Sequence, residues 1–210
     1  MLELERQAWA AGYGAVAGVD EAGRGPLAGP VVAAAVIFPR VFLEAEEKGL
    51  LAGLTDSKKL SESRRDYFFE LLHGPCHALI GVGQASAEEI DAHNILQATY
   101  LAMKRALAAL SPAPDHVLVD GLPVPGLPCS STAAVGGDGR SFSIAAASVV
   151  AKVTRDAIMR TLDLEYPQYG FARNKGYGTA EHLAALRKIG PAACHRRSFA
   201  PVSQLQLDII

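Results

Sequence analysis

Residues 15–19 and 31–38 are apolar without alternation, which predicts β-strands covered on both faces; a strand with one wet face would alternate. A third run of this kind, His116-Val-Leu-Val, ends in Asp120 and Gly121. Residues 78–82 and 131–135 are shorter strand candidates. The helical period is clearest over residues 87–110, where Ile90, Ile95, Ala98, Leu101, Ala102 and Leu107 recur on one face. Helices are also expected over 62–72 with Ser61 as N-cap, from Phe142 onward, and over 180–189. A short helix within residues 1–14 should stop at Gly12 or Gly14, and residues 39–53 predict an acidic turn or short helix. The helix from Phe142 is dense in Ala and Ser, so it can lie close against a sheet. Strands alternating with helices predict one α/β domain.

The chemistry collects where strands end. The first strand runs into Asp20-Glu21-Ala-Gly23-Arg24-Gly25. Successive strand side chains point to opposite faces, so these two carboxylates are expected to converge only if the strand breaks between them. Gly23 and Gly25 permit such a break and let another backbone come close, with Arg24 held between them as a fixed cation. Carboxylates, a small-residue loop and an arginine suit a divalent cation and a phosphodiester. Asp120-Gly121 repeats the strand-end pattern, and ligands of α/β sheets gather at such ends. A dinucleotide-binding reading of the glycines fails: Pro26 and Pro30 interrupt them, and a strand follows where a helix should begin.

Other segments leave alternatives open. Asp56 and Ser57 close a turn, while Lys58 and Lys59 are either solvated or phosphate contacts. His93 more often reads as a surface histidine than a catalytic one. Residues 165–179 interleave Tyr and Phe with Arg173 and Lys175, a composition that suits base or sugar stacking as well as packing. Arg196 and Arg197 are candidates to hold a phosphate, and Asp156 lies too far along its helix to share a cation with Asp138.

The net charge of −2 conceals a division. Residues 1–139 carry 10 Lys and Arg against 17 Asp and Glu, a balance of −7, and residues 140–210 carry 10 against 5, a balance of +5. That division fits a phosphate-binding surface beside a metal-binding acidic cluster, and ordinary surface charge fits it equally. The hydrophobic fraction of 50% is ample for a core in 210 residues, yet no run is long enough to span a bilayer. The N-terminus is charged, without the apolar stretch of a signal peptide, and Cys76, Cys129 and Cys194 are few and scattered. Free thiols in the cytoplasm are the expectation, with no structural zinc.

The Asp20 to Pro30 stretch, Asp56-Ser57-Lys58, Asp91-Ala-His-Asn, the Asp120 strand end, Gly136-Gly-Asp138 and Tyr177 together resemble the type 2 ribonucleases H, bacterial ribonuclease HII in particular, over residues 16–199. The resemblance implies a ribonuclease H-like mixed sheet flanked by helices. Residues 1–160 would form the catalytic core, and residues 161–210 a helical, substrate-binding part of the same domain. It implies Asp20, Glu21, Asp120 and Asp138 as the catalytic, metal-holding carboxylates for two Mg²⁺ or Mn²⁺ ions. Gly23, Arg24, Gly25, Lys58, Lys59, Lys175, Tyr177, Arg196 and Arg197 would contact substrate. The implied reaction hydrolyses RNA in RNA–DNA hybrids and cuts 5′ of single ribonucleotides in duplex DNA. Gly136 and Asn174 depart from the family's usual lysine and histidine. The tail Gln204-Leu-Gln-Leu-Asp-Ile-Ile210 resembles peptides that dock on bacterial sliding clamps, although termini of this kind commonly just fray. A monomer without membrane attachment is expected. The rivals are another phosphoryl-transfer enzyme on the same fold and a non-catalytic nucleic-acid-binding module.

Overall fold

A computed structural model describes residues 1–46 and 48–205. In chain order these form α1 (Glu3–Ala10), β1 (Val16–Ala22), β2 (Val31–Ile37), α2 (Arg40–Glu46), α3 (Glu62–His73), β3 (Leu79–Ala85), α4 (Ala87–Ala108), β4 (His116–Asp120) and β5 (Ser130–Ala134). Then follow α5 (Phe142–Glu165), α6 (Phe171–Asn174), α7 (Ala180–Ile189) and α8 (Val202–Leu205). The strands form one mixed sheet in the order β3-β2-β1-β4-β5. β1 is its centre, antiparallel to β2 and parallel to β4.

The unbroken apolar strands follow from helices on both faces. Ala17, Val19, Ala33, Ala35, Val117 and Val119 turn toward α4 and pack with Ile90, Ala98, Ala102 and Ala106. Ala34 and Val36 turn the other way, toward Ala145, Ala146, Val149 and Val150 of α5. Gly18 makes that second approach possible, because a Cβ built there would stand 2.1 Å from the carbonyl carbon of Ser143. A third cluster joins Leu27, Ala28 and Met159 to Tyr169, Phe171, Leu186 and Val202, fastening the C-terminal helices to the far part of α5.

Two expectations change. β1 does not break between Asp20 and Glu21: its ladder with β2 continues through Glu21↔Ala33 and Ala22↔Val32. The polar pair ends the apolar pattern, but the partner strand is still there to be paired, and backbone hydrogen bonds decide the boundary. The long helix predicted over 87–110 is interrupted at Asn94, whose φ of 66° is left-handed. Its side-chain Oδ1 accepts from the amides of Leu96 and Gln97 at 3.0 and 3.1 Å, so Asn94 caps a new helix inside the old one. The cysteines are unbridged, and among the described residues no helix is long and apolar enough to cross a membrane.

Candidate active site

The parallel register of β1 and β4 runs from Val16↔His116 to Val19↔Val119, so Asp20 and Asp120 come next on adjacent strands and share a face. Asp138 lies in a 3₁₀ turn between Gly136, at φ 68°, and Arg140. That turn is tied to the strand end: the Gly137 amide donates to Asp120 Oδ1 at 2.8 Å. The Glu21 amide donates to Asp20 Oδ1 at 2.7 Å. Burial first, and then the charges of Glu21 and Asp120, hold the Asp20 carboxyl well above the usual carboxylate range. Glu21 is also raised by burial, against the opposing pull of Arg24, whose Nη1 lies 3.3 Å from Glu21 Oε1. Asp138 is raised by burial, then by Asp120 and Asp56, with Lys59 and Lys58 opposing.

Asp20, Glu21 and Asp138 each feel the charge of Asp120 at the strand ends. Among the described residues, no three acids, histidines or cysteines are already gathered into a cation-holding set. The donor chemistry, carboxylate oxygen with no Cys or His, fits Mg²⁺ or Mn²⁺.

Beside them a cleft of about 250 Å³ is lined by Glu21, Gly23, Arg24, Gly25, Lys58, Lys152 and Tyr177 among others. Lys58 is brought there by a pinned turn. The Asp56 carboxylate accepts its amide at 2.9 Å, and Ser57 is buried against α5, where Ser148 Oγ donates to Ser57 Oγ at 2.8 Å. Lys59 is felt at Asp138. Tyr177 is 48% exposed, and its ring edge lies 3.7 Å from where a Cβ on Gly25 would stand.

Other expected contacts fall elsewhere. Arg196 is 0% exposed and cannot meet a phosphate. Its guanidinium donates to the carbonyls of Gly29, Arg24 and Gly23 at 3.0, 2.9 and 2.6 Å, which makes it a brace beneath the glycine loop. Lys175 is half-buried, with Nζ donating to the Ala172 carbonyl at 2.6 Å. Arg197 stays exposed, while its amide and that of Ser198 bind the Asp91 carboxylate. Asn174 is a buried structural amide, bonded to the Tyr169 carbonyl and the Gly176 amide. His93 is exposed, and Asp156 pairs with Lys152 at 2.7 Å.

Sequence reasoning missed Arg155. It is 1% exposed and donates to the carbonyls of Pro30, Lys175 and Ala28. Gly23 must be glycine partly because of it: at φ 94°, a Cβ there would stand 2.0 Å from Arg155 Nε. In the sequence Arg155 stands among Lys152, Thr154, Asp156 and Arg160, so no local pattern marks it for burial. The clamp-like tail lies outside the described residues from 206 on.

A family model described as Ribonuclease HII matches residues 17–202. A Ribonuclease HII of Paramagnetospirillum magneticum is 59% identical over 194 residues, covering 92% of this chain and 94% of the relative. One from Geobacillus thermodenitrificans is 54% identical, covering 97% of this chain and 75% of the relative. Among solved structures, ribonuclease H2 from Pyrococcus horikoshii OT3 superposes with a TM-score of 0.77 at 26% identity, covering 92% of this chain and 98% of that one. A chain from the PCNA:RNase HII complex of Archaeoglobus fulgidus gives 0.72 at 25% identity, covering 88% and 95%.

Proposed function

The chain belongs to the ribonuclease HII family, and from that premise we propose that it incises duplex DNA on the 5′ side of a single embedded ribonucleotide as well as cutting hybrids, leaving 5′-phosphate and 3′-hydroxyl ends. The coarser activity follows from membership: the protein is a ribonuclease H, an endoribonuclease acting on RNA–DNA hybrids, on a ribonuclease H-type fold. The observation that carries the finer reading is the cleft, in which a carboxylate, a braced glycine loop, a lysine and a tyrosine from distant segments share one wall.

Asp20, Glu21, Asp120 and Asp138 would hold the two divalent cations, Mg²⁺ or Mn²⁺. Held by these carboxylates, divalent cations would supply activation of the attacking water and charge neutralisation at the departing oxygen. The chain's own residues do the reading. RNA and DNA differ at the cleaved step by one hydroxyl, so recognition needs polar groups beside the sugar. The Gly23 and Arg24 carbonyls accept from Arg196, so we assign the contact with the 2′-hydroxyl to the amides of that loop. Tyr177, half exposed beside Gly25, stacks on the deoxyribose that follows. Lys58, Lys59 and Arg197 hold phosphates, and residues 161–205 complete the groove.

A DNA duplex carrying one ribonucleotide, incubated with and without Mg²⁺ or Mn²⁺, tests the reading. One metal-dependent cut 5′ of the ribonucleotide is expected; no cut, or equal cutting of an all-DNA duplex, overturns it. The Archaeoglobus relative was solved with PCNA, and on that analogy the tail from Gln204 to Ile210 is assigned to a sliding clamp. Deleting it should abolish capture of the enzyme by immobilised clamp, and undiminished capture would dispose of the assignment.

A further inference from the structure

Two buried histidines lie behind the recognition face, and the reaction as described does not use them. His182 Nε2 and His195 Nε2 are 3.0 Å apart, and both rings are enclosed. Their outer nitrogens determine where the protons are. His182 Nδ1 faces the Tyr177 carbonyl at 2.9 Å, and a carbonyl only accepts, so His182 carries its proton on Nδ1. His195 Nδ1 receives the Ala192 amide at 3.0 Å, so it is bare, and the His195 proton sits on Nε2. The shared bond therefore runs from His195 to His182. A second proton on either ring would set N–H against N–H or against the Ala192 amide. Burial opposes that charge: both rings are shut away from water, with Tyr169 packed T-shaped on His195 at 4.6 Å between centroids and Phe171 on His182 at 5.4 Å. Arg197 also acts on His195. Burial pushes His182 down against the opposing Tyr177 backbone, and burial, then the neighbouring His182 ring, push His195 down to about 4 against the opposing Ala192 backbone.

The pair joins two parts of the recognition surface. On one side is the Tyr177 backbone. On the other, His195 bridges Ala28, and the next residue is Arg196, whose amide donates to Leu27 and whose guanidinium holds the Gly23 and Arg24 carbonyls. We propose that His182 and His195 are positioning residues, a neutral bridge with one proton per ring that fixes Tyr177 relative to the glycine loop and so sets selectivity for a single embedded ribonucleotide. This rests on the reading of Tyr177 and the loop given above.

A bridge makes a demand that mere core filling does not: a donor at the position of His195 Nε2. His195→Phe keeps a ring and lacks the donor, whereas His195→Gln keeps an N–H there. kcat/KM would be measured for each on a one-ribonucleotide duplex and on a long hybrid, alongside ¹⁵N-edited spectra of the wild-type imidazoles. His195→Phe should lose about tenfold more on the single ribonucleotide than on the hybrid, as misplacement of a contacting group does. His195→Gln should restore most of that difference, and the spectra should show Nδ1–H on His182 and Nε2–H on His195. Equal loss on both substrates, no loss, or the opposite tautomers would overturn the bridge. Tyr177→Ala separates this from the reading beneath it. If that variant leaves the substrate ratio unchanged, the stacking role fails, while the tautomers and the Phe/Gln contrast still decide the bridge.

Discussion

Asp20 is enclosed under α5, where burial and two like charges all favour its neutral form. A carboxyl whose folded-state proton affinity is raised weakens the fold progressively as pH rises from the ordinary carboxylate value through that raised value, because the unfolded chain ionises first. Such a residue is retained for what its charge does rather than for stability. Asp20→Asn and Asp120→Asn should each lower cleavage by about 10³-fold or more, roughly 4 kcal/mol of barrier, while hybrid binding persists in a filter or mobility assay. Asp20→Asn should also melt higher than wild type at neutral pH in the absence of metal. Retained cleavage in either variant would remove the metal model. At this scale Asp20, Glu21 and Asp120 stood out because they sit at strand ends, whereas Asp138, in a 3₁₀ turn, came only with the family resemblance, and the two arginines could not be told apart. Arg196 and Arg197 are neighbours of one type, and only the enclosure of one against three carbonyls tells brace from phosphate contact.

β1, β2, β4 and the long α5 were legible as elements, the three strands because burial on both faces leaves an unalternating apolar run, which the edge strands β3 and β5 lack. What was not legible depends on partners distant in sequence. β1 continues through Ala22 because β2 pairs with it there, and α4 turns at Asn94 because its side-chain oxygen accepts from the Leu96 and Gln97 amides. α1 also has a role no local pattern showed. Glu5 Oε1 accepts from Ser141 Oγ and the Ser143 amide at 2.7 and 2.9 Å, and Leu2 bridges Ser141, so the first helix straps the segment that follows Asp138. The contact of β1 with α5 is the most exacting of these. Gly18→Ala puts a methyl 2.1 Å from Ser143 carbonyl carbon, backbone that cannot swing aside. We expect a loss of about 1–3 kcal/mol, or roughly 3–10 °C in Tm for a chain of this size. Cleavage should fall as well, since α5 helps carry Ser148 against Ser57 and the Asp138 turn against Asp120. An unchanged Tm by calorimetry would show that the helix can stand off from the sheet.

Over the whole molecule, two sets of shifted groups give stability opposite slopes with pH. Asp20, Glu21, Asp138 and Glu5 are all raised, chiefly by burial. Their contribution is fully present below the ordinary carboxylate values and is lost as pH rises through their folded values. His182 and His195 are lowered. Their contribution is intact above the ordinary 6.5 and is lost as pH falls toward the value of about 4 that His195 reaches. A divalent cation competes with protons at the strand-end acids and leaves the histidines alone. Millimolar Mg²⁺ should therefore raise Tm little near pH 5 and more near pH 8. At about a hundredfold above its dissociation constant the gain would be about 2.7 kcal/mol, or roughly 5–10 °C. Asp20→Asn should lose most of the gain at the higher pH, and Glu5→Gln should keep it, because Glu5 is buried at the α5 N-terminus among Ser141 and Ser143 rather than at the strand ends. A gain equal at both pH values, or one that survives in Asp20→Asn, would place the bound cation somewhere other than this cluster.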